Sequence, residues 1–145
     1  MNTNELRKYL STTLSIWIVT NFFPTTNVVN IKANHGQIGK NGKYTHIKYW
    51  LMDNSRNVYI GRSLKVGISK KDSDQKFFVI PESKYHNPFI IGKDGDRREV
   101  LSKFRIYFIK SGLLECAKTE LRGKNLGCWC SPEPCHGHII KELID

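Results

Sequence analysis

The stretch Leu126-Gly127-Cys128-Trp129-Cys130-Ser131-Pro132-Glu133-Pro134-Cys135-His136-Gly137-His138 gathers most of the soft, reactive side chains of this chain. Three of its four cysteines and two of its five histidines fall in the eleven residues from Cys128 to His138. Thiols and imidazoles this close admit three chemistries. In the first, Cys128 and Cys130 are small buried hydrophobes of a core strand and His136 merely opens a helix. In the second, Cys128, Cys130 and Cys135 hold zinc together with His136 or His138, although C-x-C is tighter than the usual zinc knuckle. In the third, the cluster lines a ligand or catalytic pocket. Cys135 then sits at a helix N-terminus, where the dipole lowers a thiol pKa and attracts anions. If chemistry occurs there, Cys135 is the nucleophile or ligand-polarising group and His136 transfers the proton.

Convergence of these groups demands particular elements. On an extended strand Cys128 and Cys130 face one way and Trp129 the other, and in a helix beginning near Pro134 the side chains of Cys135 and His138 share a face. A strand from Asn125 to Cys130, a loop from Ser131 to Pro134 and a helix from Cys135 to Ile144 meet those demands. They bring the cluster to the carboxyl end of a strand, where open α/β sheets hold ligands. Upstream, Val100, Leu101, Phe104, Tyr107 and Phe108 form a helical stripe. Asp96 is its N-cap, Glu99 completes a capping box and Gly112 ends it. Asp94-Gly95-Asp96 therefore reads as a turn and cap; a calcium loop would need a bidentate Glu that is missing at the required interval. A second helix runs from Leu113 to Leu121 and stops at Gly123.

Strands are expected at Val28 to Ile31, Val58 to Gly61 and Phe77 to Ile80, and the alternation from Tyr44 to Leu51 suggests another with one polar face. The expected fold is α/β, with a small, at least partly parallel sheet flanked by helices. Before it, Leu6, Tyr9, Leu10, Leu14, Trp17 and Ile18 make one stripe that Pro24 ends. This predicts an N-terminal helical arm over residues 1–26, packed on the body or on a protein partner. Residues 27–145 form a single α/β domain with a loop and strand insertion at about 32–57.

Composition narrows the partners. The chain has 145 residues, 23 Lys and Arg against 13 Asp and Glu, a net charge of +10 and 39% hydrophobic residues. That is enough apolar material for a core, and it excludes wholesale disorder, a collagen-like chain and a membrane-embedded body. Excess positive charge favours polyanionic partners such as a nucleotide or nucleic acid. Most of the lysines, Lys65, Lys70, Lys71, Lys76, Lys93, Lys103 and Lys110 among them, are spread out as on a solvated surface. The cysteines do not read as a disulfide framework, because Cys128 and Cys130 are one residue apart and Cys116 lies in a helical pattern. Ser15, Thr20 and Asn21 interrupt the apolar run from Leu14 to Phe23, so no signal peptide or membrane span is expected. The setting is then reducing and intracellular, the cytoplasm or a virion.

Polar residues elsewhere extend the pocket reading. Arg62 follows a strand end at Gly61, Asn87-Pro88 is a rigid turn whose amide could read a base or ribose edge, and Arg98 opens a helix. His35, His46 and His86 have no paired spacing and read as surface or turn residues. No phosphate-loop, dinucleotide or Gly-x-Ser-x-Gly signature is present.

Several stretches together resemble the domain-of-unknown-function 4326 family of small bacterial and viral domains. They are Val28-Val29-Asn30, Val58-Tyr59-Ile60-Gly61-Arg62, Ser83-Lys84-Tyr85-His86-Asn87-Pro88-Phe89, Arg98-Glu99-Val100 with Phe104-Arg105, and Leu121-Arg122-Gly123-Lys124. The last runs into Leu126-Gly127-Cys128-Trp129-Cys130, Pro132 and Cys135-His136-Gly137. The arm before Asn27 and the length of the 32–57 segment depart from that pattern. The resemblance implies a fold boundary and a set of site residues, and no reaction. Residues and resemblance together lead to a small basic intracellular domain. Its pocket of Arg62, Asn87, Arg98, Cys128, Cys130, Cys135 and His136 binds, or binds and processes, a nucleotide-like anionic ligand. The alternative is a non-enzymatic, zinc-stabilised module for nucleic-acid binding or virion assembly, with Tyr44, Tyr49 and Trp50 as aromatic contacts.

Overall fold

A parallel three-stranded sheet organises the chain. The computed structural model describes residues 24–32, 38, 46–68 and 76–145. The expected helical arm lies outside them except for residues 24–26. Strands β1 (Asn27–Asn30), β2 (Asn57–Tyr59) and β5 (Asn125–Cys128) line up in the order β1-β5-β2. Val28 and Val58 stand opposite Leu126 from either side. Alternation along these strands sorts their side chains to two faces. Val28, Val58, Leu126 and Cys128 meet a core that includes Phe104, Phe108 and Ile140, whereas Val29 and Tyr59 meet one built on Ile31, Ile47 and Trp50.

The first face is covered by α2 (Arg97–Lys110), α3 (Leu113–Glu120) and α4 (His136–Ile144). The capping box expected at the start of α2 is present. The Glu99 amide donates to Asp96 Oδ1 at 2.8 Å and the Asp96 amide to Glu99 Oε2 at 2.7 Å. Residue Val100, then Phe104 and Phe108, turn inward at helical spacing. The Arg105 guanidinium reaches Glu142 at 2.5 Å and links α2 to α4 on the surface.

The second face departs from the sequence reading. Of the strand expected from Tyr44 to Leu51, the described part, from His46 on, is not extended; Ile47–Asp53 is a helix, α1, capped by His46, whose Nδ1 accepts from the Lys48 amide at 3.0 Å. Ile47 and Trp50 are three apart and buried, Leu51 is half-buried and Tyr49 and Met52 are exposed. Ile47, Tyr49 and Leu51 fit an alternating period, whereas Ile47, Trp50 and Leu51 fit a helical one, and packing against the sheet selects the helix. Trp50 sits directly over the middle strand, since a Cβ at Gly127 would come within 2.9 Å of its ring and of Ile31. The 32–57 segment is thus partly core. Beside α1 lies an antiparallel pair, β3 (Leu64–Ile68) and β4 (Lys76–Ile80), of which only β4 was expected. Leu64, Val66, Phe78 and Ile80 face the core, and Lys65, Phe77 and Val79 face out.

The β1 to β2 connection carries α1 on one face, and the β2 to β5 connection carries α2 and α3 on the other. The carboxyl ends of β2 and β5 are left side by side, with the start of α4 beside them.

Candidate functional site

Past their last paired residues β2 and β5 diverge, and the gap between them is a cavity of about 430 Å³. Its walls come from Gly61 to Leu64 after β2, Trp129 to Cys130 after β5, the 87–91 turn and the first turns of α2 and α4. Arg62, Asn87, Cys128, Cys130, Cys135 and His136 all line it. Arg98 does not. It lines a neighbouring surface depression with Arg105 and Ile139, and Arg97 occupies the cavity wall instead. Successive helix residues point about 100° apart, so only one of the two arginines can look inward. Arg97 is three residues before the buried Val100 and shares its face, a signal the sequence already carried. Phe89, Ile90, Leu101 and Trp129 supply apolar wall that the sequence reading did not assign.

A web of main-chain bonds shapes the rim. Arg62 Nη2 donates to the carbonyls of Asn87 at 2.7 Å and Phe89 at 2.9 Å, and Asn87 Oδ1 accepts from the Phe89 amide at 3.0 Å. Asn87 is thus first of all a turn former. Tyr59 donates its hydroxyl to the Arg62 carbonyl at 2.6 Å and accepts from Trp129 Nε1 at 3.3 Å, tying the two diverging segments together. Burial raises the Tyr59 pKa, which keeps that donor protonated. Gly61 has no space for a side chain beside the Tyr59 ring. Across the sheet the Asn30 side-chain amide donates to the Ser131 carbonyl and holds the loop after β5.

Two sulfurs form the floor. Cys128 Sγ and Cys135 Sγ lie 2.9 Å apart, with the residues 1% and 2% exposed. Cys135 is the N-cap of α4, as expected. Its sulfur accepts from the His138 amide, and its own amide donates to His138 Nδ1 at 3.2 Å. The lowered pKa, however, falls on the partner. The hydrogen bond from Cys135 and the amides of Ser131 and Cys130 bring Cys128 down to about 6. Cys135 is pushed up, first by holding the proton it shares with Cys128 and then by burial. A thiolate 2.9 Å away outweighs the helix dipole, so the pair carries one proton between two sulfurs.

His136 Nε2 lies 2.8 Å from the Ile60 carbonyl, and its ring meets Phe104 edge to face. Burial lowers its pKa from 6.5 to about 4, so at neutral pH the ring is uncharged. Nε2–H then donates to Ile60 and Nδ1 is left as an acceptor. In this state His136 is a neutral hydrogen-bonding group of the cavity wall. Tetrahedral zinc with bonds of about 2.3 Å holds two sulfurs about 3.7 Å apart, a shift of less than about 1 Å from their separation here, so the zinc reading turns on a third ligand. Among the described residues no group of three or more His, Cys, Asp or Glu is placed to hold a metal.

The family described as a domain of unknown function (DUF4326) matches residues 43–145. The chain belongs to this family. The DUF4326 span takes in every cavity residue named above, while β1 lies upstream of it. Two viral relatives share part of the chain. One, an uncharacterized 12.4 kDa protein in the nrdA-td intergenic region of Enterobacteria phage T4, is 45% identical over 60 residues, covering 38% of this chain and 56% of its own. The other, uncharacterized protein R718 of Acanthamoeba polyphaga mimivirus, is 32% identical over 95 residues, covering 60% and 65%. The chain thus spans less than two thirds of either relative. No solved structure matches it. Among the described residues no helix is long and apolar enough to cross a membrane.

Proposed function

We propose that the cavity at the carboxyl ends of β2 and β5 binds a nucleotide-like anionic ligand. The observation that carries this reading is the pairing of two guanidinium groups, Arg62 and Arg97, with the aromatic surfaces of Phe89 and Trp129 around one cavity of about 430 Å³. That volume is within the usual range for small-molecule sites. Guanidinium forks suit phosphate, and aromatic faces suit a base. Cys128 and Cys135 offer a nucleophilic floor should the ligand be processed, with His136 as a neutral acceptor beside them. Four free thiols accord with a reducing, cytoplasmic setting.

The test is a thermal-shift and calorimetric screen of the full chain against nucleoside mono-, di- and triphosphates, with free nucleosides and inorganic phosphate as controls. At least one phosphorylated nucleoside is expected to stabilise the fold more than either control, and Arg97→Ala to reduce the gain. Equal shifts for nucleotide and phosphate, or none for any nucleotide, would reject the reading.

One observation favours the nucleic-acid alternative. On the outer face of β3 and β4 the Lys65 ammonium stands 4.2 Å from the centroid of the exposed Phe77 ring. A cation beside an exposed ring is a surface that single strands use. Trp50, by contrast, is core and offers no contact, and Tyr44 lies outside the described residues. Binding of this class weakens by roughly tenfold or more between about 50 and 200 mM salt. Lys65→Ala with Phe77→Ala should remove it while sparing nucleotide binding in the cavity; retained oligonucleotide binding in that variant would exclude the hairpin.

A further inference from the structure

We propose that Cys128 and Cys135 form a two-electron redox site, which hydrogen peroxide entering the cavity oxidises to an intramolecular disulfide and a dithiol reductant restores. The inference rests on sulfur geometry and not on the nucleotide reading, so failure of the nucleotide screen leaves it standing. The two sulfurs are 2.9 Å apart and a disulfide needs about 2.05 Å, so closure asks for a movement of less than about 1 Å. The other thiols are placed differently: Cys116 is exposed on α3 and Cys130 is half-buried in the loop after β5.

Both sulfur-bearing residues line the cavity yet are almost wholly buried. That combination selects the oxidant. Peroxide can reach the floor, and the cavity of about 430 Å³ also admits a small dithiol such as dithiothreitol, whereas attack on a disulfide as bulky as oxidised glutathione requires a thiol that stands out from the surface. The hydrogen bond from Cys135, and after it the neighbouring amides of Ser131 and Cys130, favour the Cys128 thiolate, and thiolate is the form that peroxide oxidises.

The steps balance. Cys128 thiolate attacks one oxygen of the peroxide, the O–O bond breaks, and the departing hydroxide takes a proton from solvent to leave as water. Cys128 is now a sulfenic acid, oxidised by two electrons, and the peroxide is reduced. The sulfur of Cys135 attacks the sulfenic sulfur, the S–O bond breaks, and the hydroxide leaves with the Cys135 proton as a second water. In sum, two thiols and one peroxide give one disulfide and two waters. A dithiol reductant reverses the bond by exchange.

The experiment treats the reduced full chain with hydrogen peroxide and reads intact mass, free thiols and a chymotryptic map. Expected are a loss of about 2 Da, disappearance of two thiols, and recovery of both on adding dithiothreitol. Cleavage after Trp129 separates Cys128 from Cys130 and Cys135, so the linkage appears as two peptides joined only until reduction. The doubly substituted Cys116→Ser/Cys130→Ser chain keeps both partners and should behave as the natural chain does. Cys135→Ser should halt at the Cys128 sulfenic acid, trapped by dimedone, with no loss of about 2 Da. Folding provides an internal comparison, because the folded chain should close the bond roughly tenfold faster or more than the chain unfolded in guanidinium. A 2 Da loss that persists in Cys135→Ser, or vanishes in the Cys116→Ser/Cys130→Ser chain with its thermal transition intact, would overturn the assignment. So would equal rates in folded and unfolded chains, or oxidation confined to Cys116.

Discussion

His136 in the first turn of α4 donates through Nε2 to the main-chain oxygen of Ile60, 2.8 Å away, so the helix that follows β5 is fastened to the residue that follows β2. That bond persists in either charge state of the ring, but burial outweighs it and holds the His136 pKa at about 4 against 6.5 in an unfolded chain. Above pH 6.5 both states are neutral and the full stability is present. Below it the unfolded chain takes up a proton that the folded chain refuses, so stability falls as pH drops, until about 4. The loss over this window is on the order of 3 kcal/mol. His136→Phe should be less stable near neutral pH and should lose most of the natural chain's slope between pH 6.5 and 5, where the exposed carboxylates have not begun to protonate and the slope that stays is that of Cys128, lowered to about 6. Denaturant unfolding at a series of pH values checks this; a natural chain equally stable at both ends of the window would show that the ring is solvated.

Much of this architecture was readable from local signals. The capping box at Asp96 and Glu99, the glycine at 112 and the helix opening at Cys135 are short-range chemistry, and each element begins or ends within a residue or two of its expected place. Where a strand was expected from Tyr44 to Leu51, Ile47–Asp53 is a helix, because Ile47 and Leu51 suit either period and the contact of Trp50 with Gly127, distant in sequence, decides between them. Strand β3 was not expected although Leu64, Val66 and Ile68 alternate with Lys65 and Gly67, because five residues are a short signal and the pairing with β4 that fixes the strand is tertiary. At the site, six of the seven expected residues line one cavity and Arg98 yields to Arg97. The coupling of Cys128 to Cys135 was not legible, since no sequence spacing states that two sulfurs will stand 2.9 Å apart.

Gly127 offers a direct measure of the contact that made α1 a helix. A methyl group there would approach the Trp50 ring and Ile31 to 2.9 Å. Gly127→Ala is expected to cost about 1–3 kcal/mol by overpacking. Combined with Trp50→Leu, which opens the space, it should cost measurably less than the sum of the single changes. Additive costs in that double-mutant cycle would place the tryptophan elsewhere.

The two cavity arginines should separate structure from binding. Arg62 holds two carbonyls of the 87–89 turn, whereas Arg97 donates, among the described residues, to the Pro134 carbonyl at 3.0 Å. All three bonds are exposed, so Arg62→Ala should lower stability by about 1 kcal/mol and Arg97→Ala by less. If each guanidinium also meets a phosphate, each substitution weakens nucleotide binding by about 1–3 kcal/mol in calorimetry. A loss of stability without a loss of affinity in both variants would reduce the arginines to rim struts.

Trp129 can report whether a base enters the cavity. It is 41% exposed and lines the cavity, while Trp50 is 3% exposed beneath the sheet and Trp17 lies outside the described residues. A base stacked on the Trp129 indole changes the polarity and quenching around that ring, and inorganic pyrophosphate, which has no π-face, should change them little. Nucleotide titration should therefore shift or quench tryptophan emission, and Trp129→Phe should abolish the signal while keeping an aromatic face and most of the affinity. Trp129→Ala removes the face and should weaken binding by about 1–3 kcal/mol, the usual worth of one base on one aromatic side chain. The Trp129 Nε1 bond to the Tyr59 hydroxyl is long, at 3.3 Å, so its loss in either variant should cost little stability. An unchanged emission in the natural chain at nucleotide saturation, with binding confirmed by calorimetry, would mean that the ligand's base lies away from Trp129 and that the arginines alone set recognition.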